Sequence, residues 1–390
     1  MSTSPYRHHW QLDPSFIFLN HGSFGATPKV VLEAQRGFRD ELEARPIEFL
    51  SPERNLESKL DAVRESISRL VNAEPQDIGW VRNATDGVNA VVRSYPFQKD
   101  DQVIITDHGY NACSNAVRFA AGRAGAAVIV AEVPFPLQDS QQVVDAIVAK
   151  FNERTRLLVV DHITSPTGLV FPIGKIVRAA HERGIQVLVD GAHAPGQVPV
   201  DLTAMGADYY TANHHKWLCA PKASGFLWVR RELQQGVRPN VISHGANLER
   251  PGRSKFLFEF DWPGTWDVTS VLAVKPAIEF LAQLLPGGLS DLMESNRSLA
   301  LQARTRLLES QGMESPAPEN MIAALAAIPL AGDQPEGKGD DSLQRRLFTE
   351  QHIEVPVFSG LHACPRLLRT SSQIYNDIGQ YQLLADAIAR

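Results

Sequence analysis

The sequence predicts an α/β protein: a large domain on a mostly parallel, doubly wound sheet, followed by a smaller α+β domain. Three observations lead there. Apolar runs of strand length alternate with amphipathic stretches between residues 78 and 230, the pattern of strand–helix–strand units joined into a parallel sheet. Two of these runs lead to residues able to do chemistry: Asp190 ends one, and Lys216 follows the run at 208–212. In an open α/β sheet, ligands lie just beyond the carboxyl ends of the strands. The chain has 390 residues, 44% hydrophobic and 21% charged, which is enough apolar mass for a large core and a second domain. The expected division is 20–265 for the large domain, with 1–19 and 266–390 forming the small one.

Taken in order, the apolar segment at 16–19 leads into Asn20-His21-Gly22, and Gly22 and Gly25 permit a tight turn with close approach to a ligand. A helix is expected over 28–44, with Pro28 at its first position. Residues 53–72 read as helical, because Leu56, Leu60, Val63, Ile67 and Leu70 recur at spacings of three or four. The strand Ile78–Val81 then runs into a helix through Arg82-Asn-Ala-Thr-Asp-Gly-Val-Asn89. A helix N-terminus presents unpaired N–H groups and a positive dipole end, which suits phosphate; without a ligand, the same residues supply a Thr or Asp cap. The strand Gln102–Thr106 leads to His108 and Tyr110, two rings that compete to cover a planar ligand. Strands at 127–130 and 157–160 flank a helix at 139–152, and the second enters Asp161-His-Ile-Thr-Ser165-Pro-Thr-Gly168. A helix at 173–183 feeds the next run.

That run, Ile185-Gln-Val-Leu-Val-Asp190, is a short buried strand with Gly191 and His193 just beyond it. Lys216 stands in Asn213-His-His-Lys-Trp217, in a polar turn after the following strand. An Asp and a Lys at adjacent strand ends are what pyridoxal 5′-phosphate (PLP) requires. The amine forms a Schiff base, and the carboxylate pairs with the pyridinium nitrogen and makes the ring an electron sink.

Past Arg230 the pattern loosens into a Gly-, Pro- and aromatic-containing stretch at 243–265. Helices are expected at 271–285, 290–311 and 342–352, strands at 323–330, 353–358 and 367–371, a surface loop at 332–341, and a last helix near 377–389. Arg369, on the strand at 367–371, offers a guanidinium fork that matches a carboxylate in bidentate fashion, unless it is a surface residue of an edge strand.

Composition excludes several classes. A net charge of −6, a pI of about 6.1 and no basic block argue against nucleic acid. No run is long and apolar enough for a membrane span, and the first ten residues lack the apolar stretch of a signal peptide, so a cytoplasmic protein is expected. Three cysteines, Cys113, Cys219 and Cys364, suit a reducing compartment. The His pairs at 8–9 and 214–215 are adjacent and diverge, and no paired C-x-x-C occurs, so no metal site is expected. No Gly-x-Gly-x-x-Gly or Gly-x-Ser-x-Gly is present.

Val189-Asp-Gly-Ala-His-Ala-Pro-Gly-Gln197, Thr211-Ala-Asn-His-His-Lys-Trp-Leu218 and Leu19-Asn-His-Gly-Ser-Phe-Gly25 closely resemble the class V aminotransferases, fold-type I PLP enzymes that include cysteine desulfurases and the isopenicillin N epimerase-like branch. The local residues look most like that branch. The resemblance implies Ala84 and Thr85 at the cofactor phosphate, His108 or Tyr110 on the ring, and Ser165 and His193 near its phenolic oxygen. It also implies Asn213 and His215 beside the cofactor, and catalytic roles for Lys216, Asp190 and His108. Asn20, His21 and Arg369 would meet an amino-acid substrate, and Thr265 would reach the phosphate of the other subunit in a homodimer with shared sites. The implied reaction begins at Cα and passes through an external aldimine and a quinonoid. Epimerisation comes first, a cysteine desulfurase or C–S lyase second, and transamination third. Cys364, in a turn-like stretch expected to be exposed, is the candidate sulfur acceptor. It lies too close to Arg369 and is stiffened by Pro365, which argues against that role.

Overall fold

The computed structural model describes residues 4–330, 341–359 and 364–389. The expected surface loop therefore lies outside the described residues except for Asp341, as do residues 360–363 of the turn before Cys364 and the first three residues. The centre is a seven-stranded sheet in the order Ile78–Val81, Gly225–Val229, Tyr209–Asn213, Gln186–Asp190, Thr155–Asp161, Gln102–Thr106, Ala127–Ala131. Gly225–Val229 runs antiparallel to both neighbours; the other pairings are parallel.

The middles of the inner strands are apolar on both sides because both faces are covered. Val103, Ile105, Leu157, Val159 and Leu188 pack against Val88, Val91, Val117 and Ala121 of the helices Ala84–Ser94 and Asn111–Ala124. The alternating set, Ile104, Leu158, Val160, Val187 and Val189, packs into a second cluster with Ile67, Val71, Ile176 and Val177 of the helices Glu57–Val71 and Ile173–His181. Period-2 alternation thus survives as a choice between two apolar partners rather than between core and water.

Beyond the sheet, Val357–Ser359, Arg366–Ser371 and Leu325–Pro329 form an antiparallel sheet with Arg366–Ser371 in the middle. The helices Leu289–Ser310 and Ile378–Ile388 pack beside it, the second opened by a capping box between Asp377 and Gln380. Ile17–Phe18 pairs in parallel with Ile353–Glu354, so the N-terminal segment joins the C-terminal part.

Several expectations need correction. The strand at 353–358 is two strands in different sheets, interrupted at Pro356, which has no N–H for a ladder. The loosely patterned stretch at 243–265 contains the helix Lys255–Asp261, capped by the Ser254 hydroxyl accepting from the Leu257 N–H. Phe256 and Phe260 of that helix are buried against Gly79, where a Cβ would come within 2.8 Å of the Phe260 ring. Pro28 is the cap of its helix, not its first residue. The helix at 53–72 begins with a wider π turn, Pro52–Leu56. The helix at 271–285 is divided into Thr269–Leu272 and Val274–Gln283.

Gly196 links the fold to the site. Its φ is +92°, and a Cβ there would sit 2.6 Å from the carbonyl carbon and oxygen of Trp217, next to Lys216. Gly196→Ala is expected to lower stability by at least about 1–3 kcal/mol from backbone strain alone. A urea unfolding curve matching the unsubstituted protein would show that this close approach is not required.

Candidate active site

The strand register builds the site. Asp161 and Asp190 are paired residues on adjacent parallel strands, and Asp190 pairs in turn with Thr211. Two strands therefore close on neighbouring carboxyls, and the third continues two residues further to Asn213, with Lys216 in the turn beyond. They open onto a cavity of about 540 Å³ whose walls include Ala84, Thr85, Tyr110, Asp161, Ser165, Asp190, His193, Asn213, His215, Lys216 and Arg369.

Lys216 Nζ lies 2.9 Å from His193 Nε2, and the Trp217 indole N–H donates to His193 Nδ1 at 3.4 Å. An indole nitrogen only donates, so Nδ1 accepts and a neutral imidazole carries its proton on Nε2. That proton points at the lone pair of an uncharged Lys216 amine. Burial, and next the Arg369 charge, bring Lys216 down to about 8, toward the uncharged form this contact needs. Burial, and next the Lys216 charge, hold His193 well below the ordinary imidazole range.

Asp190 is buried, its Oδ1 accepting from the Ala192 N–H at 2.9 Å. Burial raises its proton affinity, with hydrogen bonds and Lys216 opposing. Arg369 is 1% exposed on a central strand, not on an edge. It donates to the Ser165 carbonyl at 2.5 Å and to Ser23 Oγ at 3.2 Å, and lies 4.9 Å from the Phe358 ring centre. Its Nε is buried without a partner among the described residues. Asn213 Oδ1 accepts from the Ala84 N–H at 2.8 Å and pins the start of the helix to the strand end. The cap of that helix is Asn83, which accepts from the Asp86 N–H, rather than Thr85 or Asp86. His215 lines the cavity with Nδ1 3.3 Å from the Ser224 carbonyl, brought down to about 4 by burial and then by Lys216.

Five sequence candidates, His108, His21, Asn20, Thr265 and Cys364, are not on the cavity wall. His108 does not reach the cavity: its Nε2–H donates to the Val133 carbonyl at 3.1 Å and Nδ1 accepts from Thr167 Oγ1 at 2.9 Å. Tyr110 is the ring on the wall, and it is 47% exposed. His21 lies beneath Lys216, donating from Nε2 to the Lys216 carbonyl at 2.9 Å and accepting at Nδ1 from the Tyr375 hydroxyl at 2.7 Å. Asn20 bonds Glu354 and Ser23 behind the wall, and its Oδ1 also accepts from the Arg369 guanidinium at 3.4 Å. Thr265 lines a neighbouring hollow with Trp80, Asp86 and Asn240; Arg82 borders both spaces. Cys364 is 7% exposed, contrary to the expectation of an accessible thiol, and burial raises its proton affinity.

The sequence reading also missed residues. Asp161 carries the same signal as Asp190, a carboxylate closing a buried strand. Burial and then the Asp190 charge hold it well above the usual carboxylate range. Ser23, Phe24 and Phe358 form part of the wall, and Phe24 is 72% exposed there.

The aminotransferase class-V family model matches residues 17–379. A probable chloroplastic L-cysteine desulfhydrase of Arabidopsis thaliana is 31% identical, over 99% of this chain and 84% of its own length. An isopenicillin N epimerase of Amycolatopsis lactamdurans is 33% identical, over 97% and 95%. The fold also matches the cysteine desulfurase CsdA of Escherichia coli, with a TM-score of 0.79 and 22% identity, covering 100% of this chain and 98% of that one.

Two outcomes follow from the geometry. Acylation of Lys216 in the ligand-free protein needs the free amine, so its rate should rise with pH through an inflection near 8. Arg369→Met, which removes a neighbouring cation, should move that inflection upward; an unchanged inflection near the ordinary lysine value in both proteins would contradict the picture. His21→Ala strands the Lys216 carbonyl and the Tyr375 hydroxyl, and unpaired buried groups cost about 1–3 kcal/mol each. The expected loss is at least about 2 kcal/mol in urea, and a loss below ~0.5 kcal/mol would show that the bridge is dispensable.

Proposed function

The chain belongs to the class V aminotransferase family and is a PLP-dependent enzyme, and from that premise we propose that it removes and returns the Cα proton of an amino acid, in the manner of isopenicillin N epimerase. The observation that carries the reading is the Lys216 amine held by neutral His193 in a cavity shared with Asp190 and Arg369. The residues present fit the cofactor. Lys216 offers the amine for its aldehyde and Asp190 the carboxylate for its ring nitrogen. Thr85, whose N–H has no partner among the described residues, stands at a helix start suited to the phosphate. Tyr110 offers a ring face, and Ser165 and His193 offer polar atoms. When bound, the cofactor supplies an electron sink that makes the Cα proton acidic.

The remaining work falls to the chain. Arg369, with a spare buried Nε and a fixed plane over Phe358, takes the substrate carboxylate and so orients Cα. With the cofactor and substrate bound, Lys216 would be the base at Cα; its lowered proton affinity leaves a useful fraction uncharged near neutral pH. His193 Nε2 holds that amine and returns it to position. Asp190, His193 and Arg369 are buried on the inner wall, which limits the water beside the amine.

The aromatic mouth, with Phe24, Tyr110 and Phe358, suits a substrate side chain longer than that of cysteine, which favours epimerisation. Loss of a sulfur substituent is the second reading, supported by desulfhydrase relatives of similar identity and coverage. Persulfide transfer is less well supported, since among the described residues no cysteine lines the cavity. We further propose a homodimer in which Thr265 serves the partner's site. The hollow it lines adjoins the cavity through Arg82.

The deciding experiment incubates the PLP-loaded protein with single amino acids in deuterated water. It follows deuterium at Cα, chirality of the recovered substrate, and sulfide. Deuterium with inverted chirality supports epimerisation; sulfide and a keto acid support the second reading; no exchange with any amino acid removes the proposal. Asp190→Ala should retain some cofactor and lose turnover by ~100-fold or more, because stabilisation of charge in a shielded site is worth several kcal/mol. Near-normal kcat at saturating PLP would refute Asp190 as the ring-nitrogen partner.

A further inference from the structure

Cys113, in the first turn of the helix Asn111–Ala124, has no part in the chemistry above. It is 3% exposed, and its thiol donates to Asp190 Oδ2 at 3.1 Å. Asp190 Oδ1 already accepts from the Ala192 N–H, so each oxygen has one donor from the protein. The neighbouring carboxyl matters as well. Asp161 is the register partner of Asp190 on the adjacent strand, is likewise buried, and lines the same cavity. Two buried carboxyls side by side do not both ionise cheaply, so a single negative charge is divided between them unless something localises it. A ring nitrogen needs that charge on one of the two.

We propose that Cys113 is a positioning residue that acts through Asp190: its thiol holds the negative charge of the Asp161–Asp190 pair on Asp190, and holds that carboxylate in the orientation the cofactor's ring nitrogen requires. The inference rests on the reading of Asp190 as the ring-nitrogen partner. The N–H groups of Tyr110 and Ser165 favour charge on Asp161, and the Cys113 thiol and the Ala192 N–H oppose them at Asp190. Lys216 acts on both carboxyls, and Thr85 Oγ1 lies 3.9 Å from the thiol. Burial, and next the Asp190 charge, keep the thiol protonated, as a donor must be. A thiol is a weak donor, but one directed at a buried carboxylate has no water competing with it.

The test uses the loaded protein and reads the cofactor rather than turnover. The ¹⁵N chemical shift of bound, ring-labelled PLP reports protonation of the ring nitrogen, and fluorescence titration gives the PLP dissociation constant. Cys113→Ala should move the shift toward the unprotonated pyridine and weaken PLP binding roughly tenfold, the scale of one hydrogen bond to a charged group. Cys113→Ser keeps a donor and should restore both. Asp161→Asn in the Cys113→Ala background removes the competing acid and should also restore the shift. A urea midpoint for each variant separates packing from electrostatics. The proposal is overturned if Cys113→Ala leaves the shift and affinity unchanged. It is equally overturned if Ser and Ala are alike in both readouts, or if Asp161→Asn fails to restore the shift. Asp190→Ala is the control: an unchanged shift there overturns the reading of Asp190 itself, whereas a changed shift beside an inert Cys113→Ala overturns only the role of Cys113.

Discussion

The parallel ladder that joins Thr155–Asp161, Gln186–Asp190 and Tyr209–Asn213 is the constraint on which the rest depends. Parallel pairing sends every strand out at the same edge, so the residues that close these strands meet although they are far apart in sequence. A slip of one residue would turn Asp190 to the opposite face and put Val189 in its place. That slip is prevented by the two apolar sets of the strands, each filling its own helix layer.

Gathering polar groups at a buried edge sets the electrostatic problem that the site turns to use. Asp161, Asp190, His193, Lys216 and Arg369 are all enclosed, and burial is the largest influence on each. Cations lose proton affinity there, and carboxyls gain it. The consequence is a lysine amine nearer to neutral, an imidazole that resists protonation, and a carboxyl pair with raised proton affinity. Their hydrogen-bond partners come from elements that do not touch in sequence. Trp217 fixes the tautomer of His193, His21 holds the backbone of Lys216, and Ser165 receives Arg369.

His21 shows how a residue type can be read correctly and its place missed. Asn20-His21-Gly22 marks a stretch beside the site, and the stretch is there: Gly22, Ser23 and Phe24 line the cavity. The histidine faces the other way, because the hydroxyl of Tyr375 and the carbonyl of Lys216 form a buried pocket behind the wall. His108 differs for the same reason, its two nitrogens being engaged by Thr167 and Val133. Cys364 appeared exposed from a turn-like context and is covered in the fold. The missed helix Lys255–Asp261 has little of the usual pattern, since nearly every side chain on it is buried and no polar face remains to mark a period.

The sequence by itself determined the α/β class, the strand that ends in Asp190, the lysine in the turn beyond the next strand, and the arginine at 369. These are carried by local patterns, apolar runs and their breaks, that hold wherever the chain folds. Only the tertiary structure decided which ring reaches the cavity, that Arg369 lies on a central strand, and that Asp161 stands beside Asp190 with Cys113 behind it. Those facts depend on strand order, register and which face a side chain takes. They are settled by packing between distant segments, where one apolar surface must find another and each buried polar atom must find a partner.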